Sequence, residues 1–244
     1  MEPIALVCLP FAGAGASFFR AWEKQVPQTL RMVAVQLPGR EERFVEPPHT
    51  DAAQAVADAY EQVVRFTGGA GRVAVLGHSL GAVLAFELAR MLGELEGITV
   101  ERLFVSGSPG PWNGRETRAS ELDDEAFLAQ VRSFAGYAHP ALENPAMREL
   151  LLPPLRADVA MHENYRPFSD KPLPVPITAL RGRHDELVSE DTIARWADAT
   201  ESTLNVVELD GGHMYLADDD GSALLRVIDA QVQALQGADR ASVR

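Results

Sequence analysis

Residues 77–81 read Gly77-His78-Ser79-Leu80-Gly81 and stand between an apolar run, 72–76, and a helical pattern, 81–92. No other stretch limits the fold so tightly. A serine on so sharp a strand-to-helix turn needs a strained backbone, and glycines on both flanks remove side chains that would collide with neighbouring segments. The rest of the chain supplies the same alternation. Apolar runs at 4–9, 32–37, 72–76, 103–106, 177–180 and 204–209 alternate with helical patterns at 19–30, 52–66, 81–92, 193–199 and 223–235. Most of the runs are continuous Val, Ile, Leu and Ala, as in strands covered on both faces. The expectation is an α/β fold, a mostly parallel central sheet with helices on both faces.

Residues 110–176 break the alternation. They contain helical patterns at 123–134 and 145–165 but no convincing strand, and Pro153-Pro154 should break or kink the second helix. A connection of about sixty residues far exceeds the ~2–6 of an ordinary helix-to-strand loop. The expected division is a core from 1–109 and 173–237, a helical lid inserted at 110–172, and a flexible tail at 238–244.

Composition narrows the classes. The chain has 244 residues, 46% hydrophobic, with 22 Lys and Arg against 35 Asp and Glu and a net charge of −13. So apolar a chain can offset its ordering entropy by burial, which excludes disorder. Its acidity argues against nucleic acid or an anionic membrane as partner. The single Cys8 can form no disulfide within the chain and no zinc site, and no metal is implied. No apolar run approaches the ~20 residues that span a bilayer. The run from Ile4 has no basic segment before it, so the expectation is a cytoplasmic protein without a secretory signal.

The Gly-x-Ser-x-Gly junction points to nucleophilic chemistry, although a helix-capping serine also fits Ser79. The turn presents the Ser79 hydroxyl, and the Leu80 N–H and the helix dipole face any oxyanion formed there. The expected base is His213, in Gly211-Gly212-His213 after the last strand, where the glycine pair would give the imidazole reach. His78 should turn away from Ser79 into the scaffold, while His49, His139, His162 and His184 read as surface, lid or loop residues. The expected acid is Asp185, after the run 177–180, with Glu186 and Asp191 as competitors and Asp210 too near His213 in sequence. Serine, acid, histidine is the chain order of α/β-hydrolases. The loop Pro10-Phe11-Ala12-Gly13-Ala14-Gly15 is not a dinucleotide fingerprint, because Phe18 stands where a third glycine is needed. It is better suited to bring the N–H of Ala12, or alternatively Phe11, to an oxyanion hole shared with Leu80.

These motifs together resemble the type II thioesterases, discrete α/β-hydrolases that serve polyketide synthases and nonribosomal peptide synthetases. The resemblance spans nearly the whole chain. It rests on Leu9-Pro10-Phe11-Ala12-Gly13, Leu37-Pro38-Gly39-Arg40-Glu41, the Ser79 junction, Leu152-Pro153-Pro154-Leu155-Arg156-Ala157-Asp158, Asp185 and Gly212-His213. The Pro-Gly-Arg-Glu and Leu-Arg-Ala-Asp segments separate this family from generic esterases. The family often has an aromatic residue directly after the catalytic histidine, where this chain has Met214 and then Tyr215.

The resemblance implies a mobile lid, an acyl substrate on the phosphopantetheine arm of an acyl- or peptidyl-carrier protein, an editing role, and no cofactor. A medium-chain fatty acyl thioesterase, or a carboxylesterase or lactonase, are the alternatives. An acyl channel is expected along Phe11, Phe127, Val131, Leu151, Leu152, Leu155 and Met214. An acidic enzyme meeting an acidic carrier needs local positive charge at the channel mouth. Arg40, Arg43, Arg115, Arg118, Arg181 and Arg183 are the candidates, unless they make local ion pairs with Glu41, Glu42, Glu116 and Asp185.

Overall fold

The structure is a computed structural model and describes residues 2–114, 118–135, 140–218 and 220–242. The strands are β1 (Ile4–Leu9), β2 (Leu30–Ala34), β3 (Gly71–His78), β4 (Ile98–Ser106), β5 (Ile177–Gly182) and β6 (Leu204–Leu209). They form one sheet in the order β2-β1-β3-β4-β5-β6, and every neighbouring pair is parallel. The period of two explains the continuous apolar runs. Ala5, Val7, Leu9, Val73 and Val75 face one core, with α1 (Ala52–Thr67) and α2 (Leu80–Gly93). Ile4, Leu6, Cys8, Ala74 and Leu76 face the other, with α6 (Ser222–Ser242) and a 3₁₀ segment, Ala16–Lys24. Both faces are buried, so neither set of positions is polar.

Helix boundaries follow local chemistry. The Asp51 carboxylate accepts from the N–H groups of Ala53 and Gln54 at the start of α1, and Gly68 ends that helix at φ 67°. Several boundaries differ from those expected. Residues 19–30 do not make an α-helix; the 3₁₀ segment Ala16–Lys24 stands there, burying Phe19 and Trp22, and β2 starts at Leu30 opposite Ile4. β4 begins at Ile98, upstream of the apolar run, because its first half is only partly covered and its residues are mixed. The run 193–199 splits into α5 (Glu190–Ala194) and a 3₁₀ turn. α6 continues to Ser242, into the segment expected to be a tail.

Between β4 and β5 lie α3 (Asp124–Ala135) and α4 (Pro145–Asn164). They share a small core of their own: Ala119, Phe127, Leu128, Leu142, Leu152, Leu155 and Val159. Contrary to expectation, α4 runs unbroken through Pro153 and Pro154. Each proline leaves a carbonyl four residues back without its donor. Those carbonyls belong to Glu149 and Leu150, both exposed, where water can take the bond.

The strand order places the site. The chain passes from β1 to β2 on one side and then to β3 on the other, so the loops after β1 and β3 diverge over the same strand ends. In open parallel sheets, ligands bind at the carboxyl ends of strands flanking such a reversal. Ala12 follows β1 and Ser79 follows β3.

Candidate active site

Ser79 has φ 53° and ψ −116°, a conformation L-residues rarely adopt, and it caps α2 without a side-chain cap bond. Its N–H is tied to the carbonyl of Ser106, 2.8 Å away. The two flanking glycines have separate jobs. A Cβ on Gly77 would lie 1.9 Å from the carbonyl oxygen of Gly81, and one on Gly81 would lie 2.5 Å from that of Leu9. The turn therefore closes on itself at Gly77 and against β1 at Gly81. We expect Gly77→Ala to be among the most damaging single substitutions, because backbone rather than a flexible side chain would have to move. Thermal melts should show a loss of at least ~3 kcal/mol or no folded protein; a melting point within a few degrees of wild type would contradict the reading.

The acid and histidine loops are joined by backbone. Arg183 N–H donates to Leu209 O at 2.8 Å and His184 N–H to Gly211 O at 2.9 Å. A Cβ on Gly182 would lie 2.1 Å from Gly212 O. Close packing of β5 on the 211–212 backbone thus depends on Gly182, while Gly211 is required by its own φ of 115°, where a Cβ would lie 2.8 Å from Tyr215 Cβ. His213 Nδ1 lies 2.9 Å from Asp185 Oδ2, and both side chains are buried. The other Asp185 oxygen, Oδ1, accepts from Leu187 N–H at 2.8 Å and Val188 N–H at 3.1 Å. The competitors are elsewhere: Glu186 and Asp191 are exposed, and Asp210 pairs with Arg183 on the surface.

Burial by itself would raise the Asp185 pKa, but the bond to His213, its charge and the two amides outweigh it and hold the carboxyl below its ordinary value. The depressed folded value means the unfolded chain binds more protons in the window between the two, so stability rises with pH there. Asp185 therefore adds stability above the ordinary carboxylate value of ~3.9, lost as pH falls through its lower folded pKa. The melting temperature of wild type should fall more steeply with acid below about pH 4 than that of Asp185→Asn. Equal slopes would contradict the shift.

His78 does turn into the scaffold, yet it stays at the site. Its Nδ1 lies 2.8 Å from Ser106 Oγ, which lies 2.6 Å from the Tyr215 hydroxyl. Its ring centroid is 4.9 Å from that of His213. A Cβ on Gly107 would meet both imidazoles, at 2.4 Å from His78 Cε1 and 3.1 Å from His213 Cε1. His213 thus rests on His78, the residue preceding Ser79, with Gly107 leaving room for both rings and Tyr215 packed edge-on to His78. This support was not foreseen; Tyr215 is buried and holds Ser106 beneath His78.

Residues 5–232 match the family model described as "Thioesterase domain". The chain belongs to the thioesterase family. It is 36% identical over 218 residues to thioesterase PikA5 of Streptomyces venezuelae, covering 88% of this chain and 76% of that one. It is 35% identical over 214 residues to gramicidin S biosynthesis protein GrsT of Aneurinibacillus migulanus, covering 87% and 83%. Among solved structures it superposes on ClbQ from the colibactin pathway with a TM-score of 0.89, at 25% identity over 97% of this chain and 99% of ClbQ. The type II thioesterase BorB from the borrelidin cluster gives 0.84, at 32% identity over 94% and 93%. The expected family resemblance and the α/β-hydrolase fold are thereby borne out.

In this thioesterase a cavity of about 700 Å³ opens between the loop after β1, residues 39–44, α3, α4 and the loop after His213. Five of the seven expected channel residues line it: Phe11, Val131, Leu151, Leu155 and Met214. Phe127 and Leu152 do not; both are buried in the core that α3 and α4 share. Periodicity marked them as apolar but could not say which buried surface they join. Ala12 also lines the cavity, whereas Ser79 and His213 are not among its lining residues. Among the described residues no helix is long and apolar enough to cross a membrane.

Two of the six candidate arginines are excluded from a docking patch by burial. Arg40 is 5% exposed and Arg181 6%, so neither can meet a partner. Arg181 is held by Glu208 and by the Val188 carbonyl. Arg43 pairs with Glu46 and Asp58. Arg118 and Arg183 are exposed and paired with Glu121 and Asp210. Arg115 and Glu116 lie outside the described residues, as does His139. His162, expected as a surface or lid residue, lies on α4 and is buried.

Proposed function

We propose that this thioesterase is a cytoplasmic editing enzyme that hydrolyses acyl groups from the phosphopantetheine arm of carrier proteins in polyketide or nonribosomal peptide synthesis. The observations that carry the reading are the buried Asp185–His213 hydrogen bond, the His213 ring 4.9 Å from that of His78, and the next residue, Ser79, held at φ 53° on a strand-to-helix turn. Relatives named for gramicidin S biosynthesis and for the borrelidin and colibactin pathways support the substrate class.

In this reading His213 takes the Ser79 proton as the serine oxygen attacks the thioester carbonyl. The Ser–O–acyl bond forms and the C–S bond breaks, with the proton passing from His213 to the departing thiolate. Water then enters, gives a proton to His213 and attacks the acyl-enzyme; the free acid leaves and Ser79 regains its proton. Asp185 holds the imidazole tautomer and stabilises the imidazolium. The N–H groups of Ala12 and Leu80 receive the negative oxygen. The acyl chain occupies the cavity, and the insertion carrying α3 and α4 serves as its lid.

Turnover should be compared on one set of acyl groups presented as carrier thioesters, as short acyl-thiols and as alkyl esters. We expect the highest kcat/KM on carrier thioesters, by at least ~10-fold, because carrier contacts contribute binding that a short thiol lacks. Equal values on esters and carrier thioesters would favour a general esterase.

A further inference from the structure

The two segments that set this family apart in the sequence, Pro38-Gly39-Arg40-Glu41 and Leu155-Arg156-Ala157-Asp158, meet inside the protein. Asp158, on the fourth turn of α4, is 0% exposed. Its Oδ1 accepts from Arg40 Nη2 at 2.9 Å, and its Oδ2 from Arg40 Nη1 at 2.5 Å. That same Oδ2 accepts from the Gly13 N–H at 2.7 Å. Arg40 in turn donates from Nη1 to the Ala14 carbonyl at 3.1 Å and from Nε to the Pro38 carbonyl at 3.2 Å. Gly13 sits at φ 80°, and a Cβ there would lie 2.8 Å from Leu155 Cδ1, so α4 presses directly on this loop. Glu41, at φ 51°, holds the other side of the loop through the Ser17 N–H at 3.0 Å.

Residues 12–14 are thus gripped by one carboxylate and one guanidinium, and the residue before the gripped amide is Ala12. A peptide plane is rigid, so holding the Gly13 N–H holds the Ala12–Gly13 peptide, and the φ and ψ rotations at Ala12 that aim its N–H then start from a fixed plane. We propose that Asp158 is a positioning residue for the oxyanion hole, making the aim of the Ala12 N–H depend on the seating of α4. This rests on the reading of Ala12 as an oxyanion donor given above. A bare structural ion pair would need neither the Gly13 bond nor the Ala14 bond. Buried pairs contribute little net stability compared with apolar side chains of similar size, so stability alone is a weak reason for one here. The arrangement couples the acyl cover to the catalytic geometry: an unseated α4 leaves the donor misaimed, and charge on the oxyanion is stabilised only over a covered substrate.

The test uses two variants of the full chain, beside wild type and Ser79→Ala, on one acyl-carrier thioester. Asp158→Glu keeps the charge but displaces the accepting oxygen by a methylene. The double variant Arg40→Met/Asp158→Leu replaces the pair by apolar side chains, a change that often keeps or raises stability. For both we expect melting temperatures near wild type, KM within about twofold, and kcat lowered ~10²-fold, the scale of losing one oxyanion donor. Affinity for an alkyl trifluoromethyl ketone, which forms an oxyanion on the serine, should fall in parallel, while affinity for the product acid stays. If either folded variant keeps kcat within twofold, or if kcat and KM change only in step with melting temperature, Asp158 is structural and the inference is wrong. Should the double variant fail to fold, Asp158→Glu decides alone. Activity in Ser79→Ala would instead overturn the catalytic reading itself.

Discussion

Ser79→Ala should fold, melt near wild type, and hydrolyse acyl-carrier thioesters with kcat lowered by up to about 10⁶-fold, the scale seen when a hydrolytic serine is removed. In the proposed mechanism the hydroxyl forms the acyl-enzyme, and the groups that remain stabilise an oxyanion without creating one. What persists is the smaller catalysis that an oxyanion hole and substrate binding provide. Stability should change little. Alanine retains the Cβ at φ 53°, so the backbone strain is the same, and Ser79 makes no side-chain cap bond to α2 that would be lost. Circular dichroism and a thermal melt on the assayed sample separate lost chemistry from lost fold.

Asp185→Asn should lower kcat by about 10⁴-fold, again without unfolding. The size follows from which oxygen does what. Oδ1 is fixed by two backbone donors, Leu187 and Val188, and only an oxygen can accept them. The asparagine amide oxygen therefore takes that side, and its NH₂ is turned toward His213 Nδ1. That nitrogen must then accept, which puts the ring proton on Nε2 and removes the lone pair needed to receive the serine proton. Kinetics across a pH series check this. If Asp185→Asn keeps kcat within tenfold of wild type, or if Glu186→Gln is more damaging, the acid is misassigned.

The fold and the candidate triad were legible in the sequence because each left a mark that local rules can read. Continuous apolar runs signalled strands covered on both sides, and the glycines around Ser79 signalled a turn that tolerates no Cβ. Asp185 and His213 were found by chain order and by their positions after strand ends. The misreadings have a common origin in contacts between distant segments. Phe127 and Leu152 are apolar at helical spacing, which is equally true of a channel wall and of the core between α3 and α4. Arg40 looked like a surface cation because its partner, Asp158, lies 118 positions away. The His78, Ser106 and Tyr215 support was invisible for the same reason; only the sheet register brings the ends of β3 and β4 beneath the loop after β6.

The most direct test of the central claim is the mass of the enzyme itself during turnover. Wild-type protein mixed with an acyl-carrier thioester and quenched in acid within milliseconds should carry one acyl group. Digestion should place it on the peptide containing Ser79, and Ser79→Ala should remain unmodified under the same conditions. Turnover with no acyl mass on the protein at any quench time, or with the acyl group on another side chain, would contradict the account.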